Sequence, residues 1–259
     1  MAIHLSVNLN KVALLRNSRA GNFPDVLAFG RRCLQLGVDG LTVHPRPDQR
    51  HIRASDVMPI AQLVREFSGR EFNMEGNPFA PPNKNYPGFL TLAELAKPHQ
   101  CTLVPDNNDQ LTSDHGFDLY RDGDRLQPVL ENLRRNDIRS SLFMDPIPAQ
   151  IQLAKDIGAD RIELYTGPYA AAVLTDDPKV DQIFAQFAAA ANLAMTLGLG
   201  VNAGHDLNLE NLPRFARIPS LLEVSIGHAL TVDALTLGWD KAVSEYLAVC
   251  HSVCANPPV

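Results

Sequence analysis

Three side chains able to move protons stand at or just after the ends of short apolar runs that lie far apart in the chain: His44, Glu75 and His205. A carboxylate and two imidazoles brought to one substrate can take up and return protons near neutral pH. A further carboxylate, Glu163, lies inside another such run. Groups suited to anions fall beside them. The first run ends in Asn8-Leu9-Asn10-Lys11, the second in His44-Pro45-Arg46 with Arg50-His51 after it, and Arg19 follows the first run at a distance. The guanidinium fork can make two hydrogen bonds to a phosphate at once. Gly204, and Gly227 before His228, would let backbone N–H groups approach a phosphate at a helix start. The chemistry implied is acid–base catalysis on a phosphorylated small molecule, and the residue types alone leave the substrate open. Each group also has a plainer reading. A lone strand-end histidine is more often a hydrogen-bonded structural residue, Arg16, Arg19, Arg46 and Arg50 can be surface cations, and Glu163 can neutralise an arginine inside the fold. The clustering of polar residues at several run ends favours the functional reading.

These residues need a scaffold that gathers distant strand ends. The runs are His4–Leu9, Gly40–His44, Glu71–Glu75, Cys101–Pro105, Ser140–Met144, Arg161–Tyr165, Gly200–Asn202 and Leu222–Ile226. Helix-length segments separate them, so the pattern predicts an α/β chain folded as one (β/α)₈ TIM barrel over residues 1–259, with additional helices. Helical spacing of apolar residues predicts helices over Pro24–Leu36, Ala54–Phe67, with Gly69 as its stop, Pro148–Ile157 and Val180–Leu197. Gly37, Gly158 and Gly198 mark helix-to-strand returns. In such a barrel the chemistry sits at the carboxyl ends of the strands, where the polar residues fall. The Pro-, Asn- and Gly-rich stretch 77–88 reads as a long loop after the third strand, a lid or an interface element.

A net charge of −6 argues against a general nucleic-acid binder but leaves room for a local basic pocket. The amino terminus has none of the features of a secretory signal, and no apolar run is long enough to span a bilayer, so a cytoplasmic protein is expected. Cys33, Cys101, Cys250 and Cys254 are sparse and scattered. The last two, one helical turn apart, could share a metal, but thiols in a reducing cytosol are the favoured reading.

The segments VNLNKVALLRNSR, GLTVHPRPDQRHI, FNMEG, KPHQCTLVPD, RIELYTGPYA, GLGVNAGHDL and EVSIGHAL, in that order over nearly the whole chain, resemble the pyridoxine 5′-phosphate synthase family. The resemblance implies a (β/α)₈ barrel that joins 3-amino-2-oxopropyl phosphate to 1-deoxy-D-xylulose 5-phosphate, yielding pyridoxine 5′-phosphate, phosphate and water, with neither metal nor organic cofactor. It implies His44 and Glu75 as catalytic bases, His205 as catalytic acid and Glu163 as a further active-site carboxylate. It assigns Asn8, Arg19, His205, Gly227 and His228 to the aminoacetone phosphate, and Arg46, His51 and Thr112 to the deoxyxylulose phosphate. The chain departs from the commonest pattern in having Asn10-Lys11 for Asp-His, Asp206 for a glycine, and a longer loop after Glu75. Asn10, Lys11 and Asp206 are therefore expected among the substrate contacts. Family members form octamers built from dimers, which implies a homo-oligomer. Two rival readings stand beside this one. The first is a metal-dependent barrel hydrolase or aldolase with His44, Glu75, His205 and His228 as ligands. The second is a phosphate-ester binding protein without catalysis.

Overall fold

The structure is a computed structural model that describes residues 2–107 and 109–252. Eight parallel strands close into a barrel in chain order: β1 (His4–Asn8), β2 (Gly40–Val43), β3 (Glu71–Gly76), β4 (Gln100–Leu103), β5 (Arg139–Met144), β6 (Arg161–Tyr165), β7 (Gly200–Gly204) and β8 (Leu221–Ile226). Each lies on a predicted run, β6 with the same bounds and the others with ends moved by at most two residues. Helices pack outside: α1 (Asn10–Asn17), α2 (Val26–Leu36), α3 (Ala54–Arg65), α4 (Phe89–Ala96), α5 (Leu119–Arg135), α6 (Pro148–Asp156), α7 (Gly167–Leu174), α8 (Val180–Thr196), α9 (Leu212–Phe215), α10 (His228–Leu237) and α11 (Trp239–Ser252). No helix among the described residues is long and apolar enough to cross a membrane.

The two faces of the strands differ. Outward residues such as Leu5, Val7, Leu41, Val43, Ile162 and Leu164 are fully buried against the helices and form the hydrophobic core. Inward residues are mostly polar, Phe143 being an exception, and hydrogen bonds crossing the barrel fill its floor. Arg139 of β5 grips the Glu71 carboxylate of β3 and donates from Nε to Gln100 Oε1 at 3.0 Å. Arg161 donates to Asn202 Oδ1 at 3.0 Å and Glu223 Oε2 at 3.2 Å. Two arginines thus meet two carboxylates, and the buried charges are balanced. In the next layer up, which holds Glu163 as its one ionisable group, Ser6, Thr42, Asn73 and Thr102 bond in series.

Local chemistry explains where the elements begin and end. α2 starts two residues later than predicted because Asp25 caps it, accepting from the N–H groups of Leu27 and Ala28. Gly37, Gly158 and Gly198 adopt φ of 98°, 90° and 75°, the left-handed returns the sequence implied. The 77–88 stretch is braced at several points. Asn83 and Tyr86 exchange backbone bonds of 2.8 Å, Tyr86 is buried, and Asn77 Nδ2 donates to Asp106 O at 2.7 Å. Cys250 is buried in α11, where desolvation pushes its thiol up to about 12. Cys254 lies outside the described residues.

Candidate active site

The carboxyl ends of the strands open into a cavity of about 340 Å³. It is lined by His44, Glu75, Glu163, His205, Asn8, Asn10, Lys11, Arg46, His51, Thr112, Asp206, Gly227 and His228, whereas Arg50 and Gly204, also suited to anions by type, are not among its lining residues. Arg19 is exposed just beyond α1 and does not line the cavity.

Glu75, at the top of β3, is only 9% exposed. Asn8 Nδ2 and Ser225 Oγ donate to its two oxygens at 3.2 and 3.3 Å. No arginine pairs with it among the described residues. Burial outweighs those hydrogen bonds and raises its pKa to about 7. Asn8 is itself oriented, because its Oδ1 accepts the N–H of Asn10 at 2.9 Å and so turns the amide nitrogen toward Glu75. Asn10 Oδ1 in turn accepts the N–H of His44 at 2.9 Å. The start of α1 therefore positions both candidate bases, and Asn10 reaches this role through backbone contacts.

His44 Nδ1 lies 3.9 Å from Glu75 Oε2. Burial, followed by the positive charge of Arg46, holds His44 well below the usual imidazole range. It is neutral at pH 7, so its contact with Glu75 is dipolar. His51 is also neutral, its pKa lowered to about 3 by burial and by Arg46. Its Nδ1 accepts the N–H of Ile52 at 2.9 Å, which leaves the ring proton on Nε2.

Glu163 is 3% exposed and among the described residues has no arginine partner; Arg161 of the same strand pairs with Glu223 instead. Burial and the nearby Glu75 and Glu223 carboxylates raise its pKa well above the usual range. Hydrogen bonding agrees with a neutral acid. Thr102 Oγ1 lies 3.2 Å from Asn73 Oδ1 and 3.3 Å from Glu163 Oε2, and it has one proton, so both bonds form together only when Glu163 carries the second. Gly204 leaves room for this carboxyl, since a Cβ there would meet Glu163 Oε1 at 2.6 Å.

On the opposite wall, Arg46 forms a buried ion pair with Asp106, which also accepts from Ser113 Oγ at 2.8 Å. His205 follows β7 with a left-handed φ of 85°, and Asp206 continues at 59°. His205 Nε2 lies 2.9 Å from Thr112 Oγ1. Its Nδ1 lies 2.9 Å from Asp206 Oδ2, close enough for an ion pair but out of line for a hydrogen bond. His205 first, then His228 and Lys11, hold the Asp206 carboxyl below its usual range. Gly227, His228 and Ala229 bring the amino end of α10 to the cavity, its positive dipole end beside the Lys11 side of the site.

Ser225, Thr102 and Asp106 carry hydrogen bonds to the site, and reasoning from residue types passed over them. Alternation along β8 would have found the first, since Glu223, Ser225 and Gly227 are successive inward positions. Among the described residues no group of three or more His, Cys, Asp or Glu is arranged to hold a metal ion.

The family described as "Pyridoxal phosphate biosynthesis protein PdxJ" matches residues 5–252. The chain belongs to this family. It is 54% identical over 250 residues to the pyridoxine 5′-phosphate synthase of Xanthomonas campestris pv. campestris (strain B100), covering 96% of each chain. It is 49% identical over 256 residues to that of Xylella fastidiosa (strain 9a5c), covering 98% of this chain and 96% of the relative. Among solved structures, the tryptophan synthase α-subunit of Pyrococcus furiosus superposes with a TM-score of 0.58 at 13% identity, covering 98% of each chain. A 4-hydroxy-2-oxoglutarate aldolase does so with a TM-score of 0.55 at 15% identity, covering 96% of this chain and 92% of the aldolase. These two likenesses show the barrel and nothing finer. Membership of the PdxJ family makes the chain a synthase of vitamin B6 biosynthesis.

Proposed function

We propose that this cavity condenses 3-amino-2-oxopropyl phosphate with 1-deoxy-D-xylulose 5-phosphate to give pyridoxine 5′-phosphate, with release of phosphate and water. The observation that carries the mechanism is the spread of protonation states around one space. Glu75 titrates near 7, His44 is a neutral base, and Glu163 holds its proton. Joining an amine to a ketone, expelling water and phosphate and closing an aromatic ring calls for repeated proton removal and return. Groups matched to neutral pH can serve several of those steps.

In this reading His44 and Glu75 remove protons from substrate carbon and nitrogen, and His205 donates to a departing group. Glu163 supplies a hydrogen-bond donor and a reserve proton beside Glu75. Arg46, His51 and Thr112 hold the phosphate of deoxyxylulose phosphate. Asn8, Gly227 and His228, at the amino end of α10, hold aminoacetone phosphate, with Lys11, Asn10 and Asp206 lining the space between. We further propose that the chain works in the cytoplasm, without metal or organic cofactor, as a single barrel domain in a homo-oligomer. Light scattering of the purified protein tests the oligomer. Incubation with both substrates tests the reaction. Pyridoxine 5′-phosphate and inorganic phosphate should appear in equal amounts, and neither should appear when one substrate is omitted. Tight binding of both substrates without product would overturn catalysis and leave a binding protein.

A further inference from the structure

We infer that Thr166 is a positioning residue for His205, acting through its hydroxyl on the backbone that carries the imidazole. Thr166 is fully buried at the point where β6 gives way to α7. A threonine immediately before a helix ordinarily turns its oxygen onto the first free N–H groups of that helix. Thr166 makes no such cap. Its hydroxyl instead reaches across to the neighbouring strand end, where its single proton is shared between Gly204 O, at 2.7 Å, and His205 O. Its own N–H also donates to Gly204 O, at 3.1 Å.

The carbonyls held in this way flank an uncommon backbone. His205 and Asp206 are the only consecutive non-glycine residues with positive φ among the described residues. Such conformations persist only where the surroundings impose them, and they concentrate where a side chain must be aimed. On one side the turn is held by Thr166, and on the other by Asn211 Nδ2, which donates to Asp206 O at 3.1 Å. The Tyr165 ring meets the His205 ring edge-on, with centroids 5.2 Å apart, and fixes its tilt. Without the hydroxyl, Gly204 O keeps only the Thr166 N–H and His205 O loses its Thr166 contact, so the peptide that follows the imidazole is freed and the ring can leave the line of Thr112 and the cavity. The groups facing His205 are Asp206, Tyr165 and Thr112, with Glu75 across the cavity. The Thr166 hydroxyl touches none of their side chains.

The inference rests on the reading of His205 as the proton donor, and the test separates the two. Thr166→Val keeps the shape and removes the donor, Thr166→Ser keeps the donor, and His205→Asn removes the acid. The valine variant should lose about 10- to 100-fold in kcat with KM changed less than about twofold, because misplacing a catalytic group by a fraction of an ångström costs on that order. The serine variant should recover most of kcat. In the His205→Asn background the valine change should cost nothing further. Hydrogen exchange of the 204–206 amides should quicken in the valine variant and not in the serine variant. Full activity in the valine variant, or an equal loss with and without His205, overturns the positioning role while leaving His205 as the acid. An unchanged kcat in His205→Asn alone overturns the reading of His205, and this inference with it. If the valine variant fails to fold, Thr166→Ala replaces it. Failure of both, with a stable serine variant, makes the hydroxyl a requirement of the fold and also overturns the inference.

Discussion

Arg46 and Asp106, from the segments that follow β2 and β4, are ion-paired at 4% and 6% exposure, so the charge proposed to hold deoxyxylulose phosphate is already neutralised by the protein. Removing Arg46 leaves the buried Asp106 carboxylate with the Ser113 hydroxyl but without its countercharge. Breaking such a pair costs about 3–5 kcal/mol. Arg46→Ala should therefore lower the melting temperature clearly as well as raise KM for deoxyxylulose phosphate. Arg46→Ala/Asp106→Ala should recover part of the stability and none of the affinity. Calorimetry and steady-state kinetics on the two variants check this, and a fully stable single variant would contradict it.

Glu75→Gln should separate chemistry from stability. The folded protein holds the Glu75 proton up to about pH 7, whereas an ordinary glutamate releases it near 4.5. The folded state therefore binds more protons than the unfolded state between those values. The stability linked to Glu75 is fully present below about 4.5 and drains away as pH rises through 7. The glutamine variant lacks this drain, so its stability relative to the parent should improve from pH 5 to pH 8, by a few kcal/mol at most at about 1.4 kcal/mol per pKa unit. Its kcat should fall by about 10²-fold or more. Denaturant titrations across that range measure the first, and turnover assays the second. A variant that is destabilised at pH 8 yet turns over normally would refute both.

Gly204→Ala should damage the site through Glu163. The new methyl would sit 2.6 Å from Glu163 Oε1 and 3.2 Å from Ser225 O. Overpacking of this kind costs about 1–3 kcal/mol. Adding Glu163→Asp, which withdraws the carboxyl by one carbon, should restore much of the melting temperature. No rescue by the aspartate would show that the methyl strains the strand and not the carboxyl.

Arg19→Ala should leave stability unchanged, since Arg19 is exposed. Its KM for aminoacetone phosphate decides whether Arg19 reaches the substrate at all, and an unchanged value removes it from the site.

Activity should survive exhaustive chelation. Lys11 and the amino end of α10 already bring positive charge to the cavity wall, and the steps proposed need only proton transfer and anion holding. Loss of turnover to a chelator, restored by one added metal, would revive the metal-dependent reading.

Much of the barrel was legible because its signals are local. β-branched and apolar runs set the strands, and the left-handed glycines at 37, 158 and 198 set the returns. Strand ends carry the site, so His44, Glu75 and His205 could be picked out by type and position alone. What could not be read depends on distant partners. Ser225 and Thr102 are ordinary hydroxyl residues until the barrel brings them to Glu75 and Glu163. Arg46 and Arg19 are the same residue type, and only packing buries one and leaves the other in solvent. Asn10 stood at a substrate-contact position, yet its side chain is engaged with the His44 N–H. Helix α1 follows β1 so closely that its apolar pattern is short, and helix and loop could not be told apart there.

The strands keep their apolar side chains outside the barrel and their hydrogen-bonding side chains inside it. Folding and chemistry are thereby written in alternate letters of the same eight segments. An inward residue can change without touching the hydrophobic shell that stabilises the molecule, provided its polar neighbours are still satisfied. That separation gives the lumen freedom to accept new substrates over evolutionary time while the scaffold stays as it is. It also means that inward substitutions which lower activity while sparing the melting temperature should outnumber those that do the reverse.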